Sequence, residues 1–272
     1  MTSPMISARD LLRAEEVRVV DCRWYLGEPE RGREAYAEGH VPGAVYASLD
    51  ADLSGPSGPG RHPLPSPEAF GATLGRLGIG PTTKVVAYDD RGGAVASRLW
   101  WLVTAQGHTE VAILDGGVQA WLAAGGTLVA DEPRVEPAPY PPKPWEGIVD
   151  IDDVAGRPHD VTVVDARSSD RFRGDAEPVD AKAGHIPGAV SMPLTGNLDE
   201  SLRFLPADAL VERFRVAGIA DGSTTISQCG SGVTACHTIL AMELAGLGRP
   251  MLYVGSWSDW STSDHPIATG DT

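Results

Sequence analysis

The strongest constraint on this chain is that it repeats itself. "VVDCRW" at 19–24 and "GHVPGAV" at 39–45 return as "VVDARS" at 163–168 and "GHIPGAV" at 184–190. The later parts match as well: "KVVAYDDRGGAVASRLWW" from residue 84 stands where "TTISQCGSGVTACHTIL" stands from 224, and "LDGGVQAW" from 114 where "YVGSWSDW" stands from 253. These pairs lie 139 to 145 residues apart, the length of a domain and far beyond that of a solenoid unit. The fold must therefore be one that half of the 272 residues can form, used twice in tandem.

Within each copy, short β-branched runs alternate with helical ones. The strand candidates are "VRVVDC", "KVVAYDD" and "VAILDGG" in the first copy, and "VTVVDA", "TTISQC" and "MLYVGS" in the second. "SPEAFGATLGRLG", "VASRLWWLVTAQ", "ADALVERFRVAG" and the stretch from Val233 to Leu247 have the apolar spacing and length of helices. Such alternation predicts an α/β fold, with a mainly parallel sheet flanked by helices on both faces in each copy. Between the copies, residues 130–147 ("ADEPRVEPAPYPPKPWEG") hold many prolines, which disfavour helix and central strand and suit an extended linker. The predicted organisation is a first domain at 1–129, a linker at 130–147 and a second domain at 148–272. In "HVPGA" and "HIPGA", proline and glycine suit the two central positions of a type II turn. Their recurrence makes a structural role the first explanation for the turns and for His40 and His185 before them.

A formal charge of −15 with no basic stretch to offset it argues against a nucleic-acid or acidic-membrane partner. The first residues lack the apolar core of a signal peptide, and no stretch reaches the roughly 18 apolar residues of a membrane span, so a cytoplasmic protein is expected. Cys22, Cys229 and Cys236 are too few for a disulfide framework or a zinc cluster, and the seven histidines show no metal-ligand spacing. Cys22, in "RVVDCRW", reads as a core strand residue, and Cys236 as a buried helix residue.

Cys229 differs from both, because it falls where a strand ends and a helix begins. The first N–H groups of a helix lack internal partners and carry the positive end of its dipole, so they favour an anion such as a thiolate. Gly230 and Gly232 free the backbone to curl several N–H groups around the sulfur, Ser231 adds a hydroxyl, and Val233 and Thr234 open the helix. The alternative, an inert buried thiol, leaves the flanking glycines unexplained. In a parallel sheet the C-terminal strand ends carry the reactive site, which agrees with this position. Aligning the copies puts Asp89 opposite Cys229, so the first copy lacks the nucleophile and reads as an inactive companion.

A cradled cysteine attacks phosphorus or sulfur. A cysteine phosphatase needs a guanidinium six residues after the nucleophile, and that position is Ala235. No papain-like surrounding appears. Attack on sulfur needs little beyond a stabilised thiolate, because the same N–H groups hold the persulfide that results.

With the loop "CGSGVTA", the paired "VVDAR" and "GHIPGA", and "GSWSDW" near the end, the chain resembles the two-domain rhodanese family over nearly its whole length. Within that family the loop is similar to that of the 3-mercaptopyruvate sulfurtransferase branch. Thiosulfate sulfurtransferases typically carry basic residues directly after the cysteine. The resemblance implies two tandem rhodanese-like domains, the first inactive and the second catalytic. It also implies a persulfide on Cys229, a small-molecule sulfur donor, a small thiol, thioredoxin-like protein or cyanide as acceptor, and no metal or organic cofactor. It places the donor carboxylate on Arg171, flanked by Arg167, and maps a Ser–His–Asp relay onto Ser231 and His40. Upstream of His40, "GEPERGREAYAEGH" offers only glutamates, such as Glu28 and Glu30, for the relay's acid. The family's second arginine falls near Val179 and Asp180, with Lys182 as a substitute. Thiosulfate as donor, and a persulfide carrier or redox-sensing module that turns over poorly, remain open as alternatives.

Overall fold

The computed structural model describes residues 3–271, which cluster into two compact units. The first comprises residues up to Pro56, Leu64–Glu146 and Glu200–Phe204; the second comprises Ser57–Pro63, Gly147–Asp199 and Leu205 onward. Each unit thus includes one short segment from the other half of the chain.

The first unit contains β1 (Met5–Ile6), α1 (Ala8–Leu11), β2 (Val17–Asp21), α2 (Arg31–Glu38), β3 (Val45–Tyr46), α3 (Pro67–Arg76), β4 (Lys84–Tyr88), α4 (Ala96–Ala105), β5 (Val111–Leu114) and α5 (Gly117–Ala123). The second contains β6 (Ile148–Val149), α6 (Ile151–Ala155), β7 (Thr162–Asp165), α7 (Ser169–Arg173), β8 (Val190–Ser191), α8 (Ala207–Val216), β9 (Thr225–Gln228), α9 (Ala235–Leu244), β10 (Met251–Tyr253) and α10 (Ser256–Trp260). The sheets run β1-β5-β4-β2-β3 and β6-β10-β9-β7-β8, and every pairing is parallel. One order written twice is the structural form of the sequence repeat. All four residues of β9 are buried, as expected of a central parallel strand covered on both faces.

Local chemistry sets the helix ends. Ser66 accepts from the Ala69 N–H ahead of Pro67 at the first turn of α3, and Asp150 and Asp153 form a capping box on α6. The expected helix from Val233 to Leu247 is shorter at both ends. Gly232 (φ +76°) keeps Val233 and Thr234 in the loop, and Gly246 (φ +71°) stops α9, with Leu247 N–H donating back to the Met242 carbonyl. Residues 235–242 of α9 are buried all round, so this helix is core behind the Cys229 loop.

The proline-rich stretch has no regular secondary structure over residues 132–146, yet it does not stand off the first unit. The Gln106 amide exchanges hydrogen bonds with the Lys143 backbone, Trp145 Nε1 donates to the Pro65 carbonyl, and the Trp145 ring packs near Phe70 and Trp101. Proline removes ladder donors without removing affinity for a surface, so the segment is an extended strap on its own unit.

Candidate active site

β9 delivers Cys229 to its C-terminal end, and the loop 229–234 turns into α9. Cys229 is 2% exposed, and the Ser231 N–H donates to its sulfur at 3.5 Å. Gly232 is required by its positive φ and by a near approach: a Cβ there would lie 2.5 Å from the Val254 carbonyl oxygen.

The loop is clamped from behind by the first turn of α10. The Cys229 N–H donates to Ser256 Oγ (3.1 Å), the Cys229 carbonyl accepts from Trp257 N–H (2.9 Å), and the Gly230 carbonyl accepts from Ser258 N–H (2.9 Å). Ser256 is fully buried at φ +52°, and its hydroxyl donates to the Tyr253 carbonyl at 2.8 Å. A non-glycine residue in the left-handed region costs on the order of 1 kcal/mol and persists where its surroundings impose it. Here Trp257 and Trp260, both in the apolar core of the second unit, impose it. "GSWSDW" is thus the strap that fixes the reactive backbone.

The duplicate loop shows what this backbone shape holds. In the first unit Asp89 stands at the Cys229 position, and its carboxylate accepts from the N–H groups of Arg91, Gly93, Val95 and Ala96 at 2.8–2.9 Å. Burial holds the Asp89 carboxyl above its ordinary range, and those four backbone bonds offset only part of that rise. The loop is an anion cradle with a built-in occupant. In the second unit the occupant is absent and a sulfur stands at its root, with the amide matching that of Arg91, on Ser231, already directed at it.

His62 Nδ1 lies 2.8 Å from Ser231 Oγ, and both residues are nearly buried. This corrects the expected relay. His40 is fully buried in the first unit, with Nδ1 on the Tyr36 carbonyl (2.8 Å), Nε2 on the Asp131 carbonyl (3.2 Å) and the ring stacked on Tyr36. His185 repeats the arrangement on Phe172, so both histidines lock their turns. Glu28 and Glu30 are exposed. The signal for His62 was available in "GRHPLP" at 60–65, where the second copy has "LRFLP" at 202–206 and no histidine.

Arg167 is also corrected. Its guanidinium grips Asp165, donates to the Gly184 carbonyl at 2.7 Å and lies over the Trp257 ring at 4.5 Å, with the side chain 1% exposed. Arg23 makes the same contacts with Asp21 and the Gly39 carbonyl in the first unit, where Asp89 stands at the Cys229 position. With Nη1 also donating to Glu177 at 3.4 Å, the buried Arg167 guanidinium is bound into the scaffold. Arg171 stands differently: it pairs with Glu177 (2.7 Å) and Asp180 (2.8 Å), and one of its terminal nitrogens would lie 3.4 Å from a Cβ on Gly230. Arg61 approaches the same point, at 3.0 Å, and pairs with the other oxygen of Asp180. A side chain at Gly230 would therefore press on both guanidiniums, and Arg61 occupies the place expected of a second cation. Lys182 instead donates to the Ser263 carbonyl.

Cys22 and Cys236 are buried and take no part. Burial, then Asp21, Asp89 and Asp52, push the Cys22 thiol far above its ordinary range, and the Cys236 thiol donates to the Gly232 carbonyl at 3.4 Å. No helix among the described residues is long and apolar enough to cross a membrane.

The rhodanese-like domain model matches residues 6–124 and again 150–263. Over its full length the chain is 42% identical to a probable 3-mercaptopyruvate sulfurtransferase of Pseudomonas aeruginosa, covering 98% of that protein. Over 94% of the chain it is 41% identical to a putative thiosulfate sulfurtransferase of Mycobacterium tuberculosis, covering 92% of it. Among solved structures, the 3-mercaptopyruvate sulfurtransferase from Leishmania major superposes with a TM-score of 0.85 at 34% identity, over 96% of this chain and 74% of that one.

Proposed function

Because the chain belongs to the rhodanese-like domain family, we propose that it is a sulfurtransferase whose Cys229 takes sulfur from 3-mercaptopyruvate as a persulfide and passes it to a thiol or to cyanide. The observation that carries this reading is the cradle. The duplicated fold holds a carboxylate on four N–H groups in one copy and presents a lone sulfur at the root of the same loop in the other. Such a site favours a thiolate, and after reaction it favours the persulfide anion equally. The second unit is assigned the catalysis and the first a silent companion role.

In the forward step the Cys229 thiolate attacks the donor sulfur. The new S–S bond forms as the donor C–S bond breaks, and its electron pair leaves as the pyruvate enolate. The donor's thiol proton, acidified on the persulfide, is the proton the enolate carbon requires. Ser231 and His62, joined at 2.8 Å, are assigned its transfer. The donor carboxylate is assigned to Arg171, and the backbone of Gly230, Gly232, Val233 and Thr234 shapes the pocket for the transferred sulfur. In the return step an acceptor thiolate attacks the outer sulfur and Cys229 leaves as thiolate, a double displacement. The acceptor we assign is a small thiol or a thioredoxin-like protein, and three cysteines in the thiol form suit a reducing compartment such as the cytoplasm.

Thiosulfate is the second reading, favoured by the two guanidiniums beside Gly230. Steady-state sulfur transfer with each donor, for native protein and Cys229→Ser, tests both. The expected result is a preference for mercaptopyruvate, a protein mass increased by one sulfur atom in the absence of acceptor, and an inactive serine variant. Turnover surviving in Cys229→Ser would overturn the assignment.

A further inference from the structure

Asp180 has an unusual position beside the reactive loop. Its carboxylate is 3% exposed and bridges two guanidiniums, one oxygen on Arg61 and the other on Arg171 at 2.8 Å. Both guanidiniums also border Gly230, the residue after Cys229. Glu177, the other carboxylate on Arg171, is tied into the scaffold: it accepts from the Val179 and Asp180 N–H groups (3.1 and 3.0 Å) and meets Arg167. Among the described residues, the Asp180 carboxylate accepts hydrogen bonds from the two arginines alone.

Arg61 is held in place from its backbone. Its N–H donates to Ser258 Oγ at 3.0 Å, on the strap that clamps Cys229, and Gly60 before it (φ +72°) approaches Gly255 so nearly that a Cβ would lie 2.4 Å from that carbonyl oxygen. Its Nε is buried and has no hydrogen-bond partner among the described residues. A buried, unused donor on a pinned guanidinium is costly unless an acceptor arrives. The cluster around this mouth sets Arg61, Arg167 and Arg171 against Asp165, Glu177 and Asp180, so the charges balance only because Asp180 is present.

We propose that Arg61 and Arg171 form the donor-anion site beside Cys229, and that Asp180 determines its selectivity. Together with Glu177 on Arg171, Asp180 brings the two guanidiniums to neutrality. The site then suits a donor with a single carboxylate, and a dianion such as thiosulfate meets one repulsive carboxylate too many. This deepens the sulfurtransfer reading above and rests on it for the identity of the donors. The anion selectivity itself rests only on the cluster.

The test is the ratio of kcat/KM for mercaptopyruvate to that for thiosulfate in wild type, Asp180→Asn, Arg61→Gln and the double variant. Removing one negative charge within a few ångströms of a dianion should move the ratio toward thiosulfate by about tenfold. Arg61→Gln should move it the other way, and the double variant, neutral again, should return near wild type. A parallel readout is protection of Cys229 against alkylation by iodoacetamide, using pyruvate and sulfate as non-reacting mono- and dianions. Sulfate should protect Asp180→Asn about tenfold better than wild type. An unchanged ratio together with unchanged sulfate protection in a folded Asp180→Asn overturns the proposal. If no variant transfers sulfur from either donor but sulfate protection still rises, the donor reading falls and the anion site stands.

Discussion

Asp89→Ala tests the cradle argument at its root. The change leaves the Arg91, Gly93, Val95 and Ala96 N–H groups facing a site that is only 1% exposed. Each buried donor left unmade costs about 1–3 kcal/mol. Relief of the carboxylate's own burial cost and entry of water offset part of that sum. The net loss should be about 4 kcal/mol, in the range of about 3–5 kcal/mol found when one partner of a buried charged contact is removed. For a domain of this size that corresponds to roughly 12 °C in Tm, at about 3 °C per kcal/mol. Scanning calorimetry of wild type and Asp89→Ala, each with and without a large excess of sulfate, measures it. Sulfate should restore part of the loss in the variant alone, because an oxyanion can take the four vacated N–H bonds. A shift of less than about 3 °C, or one that sulfate leaves unchanged, would refute the claim that this loop shape is built for an anion. The same result would remove the physical basis for reading the Cys229 loop as an anion cradle.

The other expectations are narrower. His62→Gln should lower kcat by about 10²-fold with little change in Tm, whereas His40→Gln, which breaks a buried stack and two carbonyl contacts, should lower Tm and leave kcat within about threefold; kinetics and melting curves on both variants separate the roles. Ser256→Ala removes the acceptor for the Cys229 N–H and should cost about 1–3 kcal/mol in urea unfolding together with a slower alkylation of Cys229. Burial raises the Glu177 carboxyl, but its bond to Arg171, the Asp180 and Val179 N–H groups and the Arg171 charge outweigh this and hold it below its ordinary 4.5. A depressed carboxylate stabilises the fold above its unfolded value, and that contribution is lost as pH falls through the lower folded value. The Tm gap between wild type and Glu177→Gln should therefore be full at neutral pH and close progressively as the buffer is taken below 4.5.

Residues legible from sequence and residues missed divide along the repeat. "VVDCRW" and "VVDARS", and the two "GH-PGA" turns, recur because both units need the same Asp–Arg grip and the same stacked histidine. Recurrence was thus a mark of scaffold, and reading His40 and Arg167 as chemistry ran against it. The residues unique to one copy were the informative ones: Cys229 where the first copy has Asp89, Arg171, and "GRHPLP" with Arg61 and His62. Arg61 and His62 escaped notice because they lie within the first half of the chain, 167 or more residues before the loop they serve.

The sequence alone determined the duplication, the parallel α/β class and the placement of Cys229 between strand and helix, since periodicity, glycine spacing and residue chemistry are local properties of the chain. Only the tertiary structure decided which histidine meets Ser231, that Arg167 is consumed by Asp165, and that Asp180 joins Arg61 to Arg171. Hydrogen bonds and ion pairs form between whatever groups the fold brings within about 3 Å, and sequence distance places almost no limit on which groups those are.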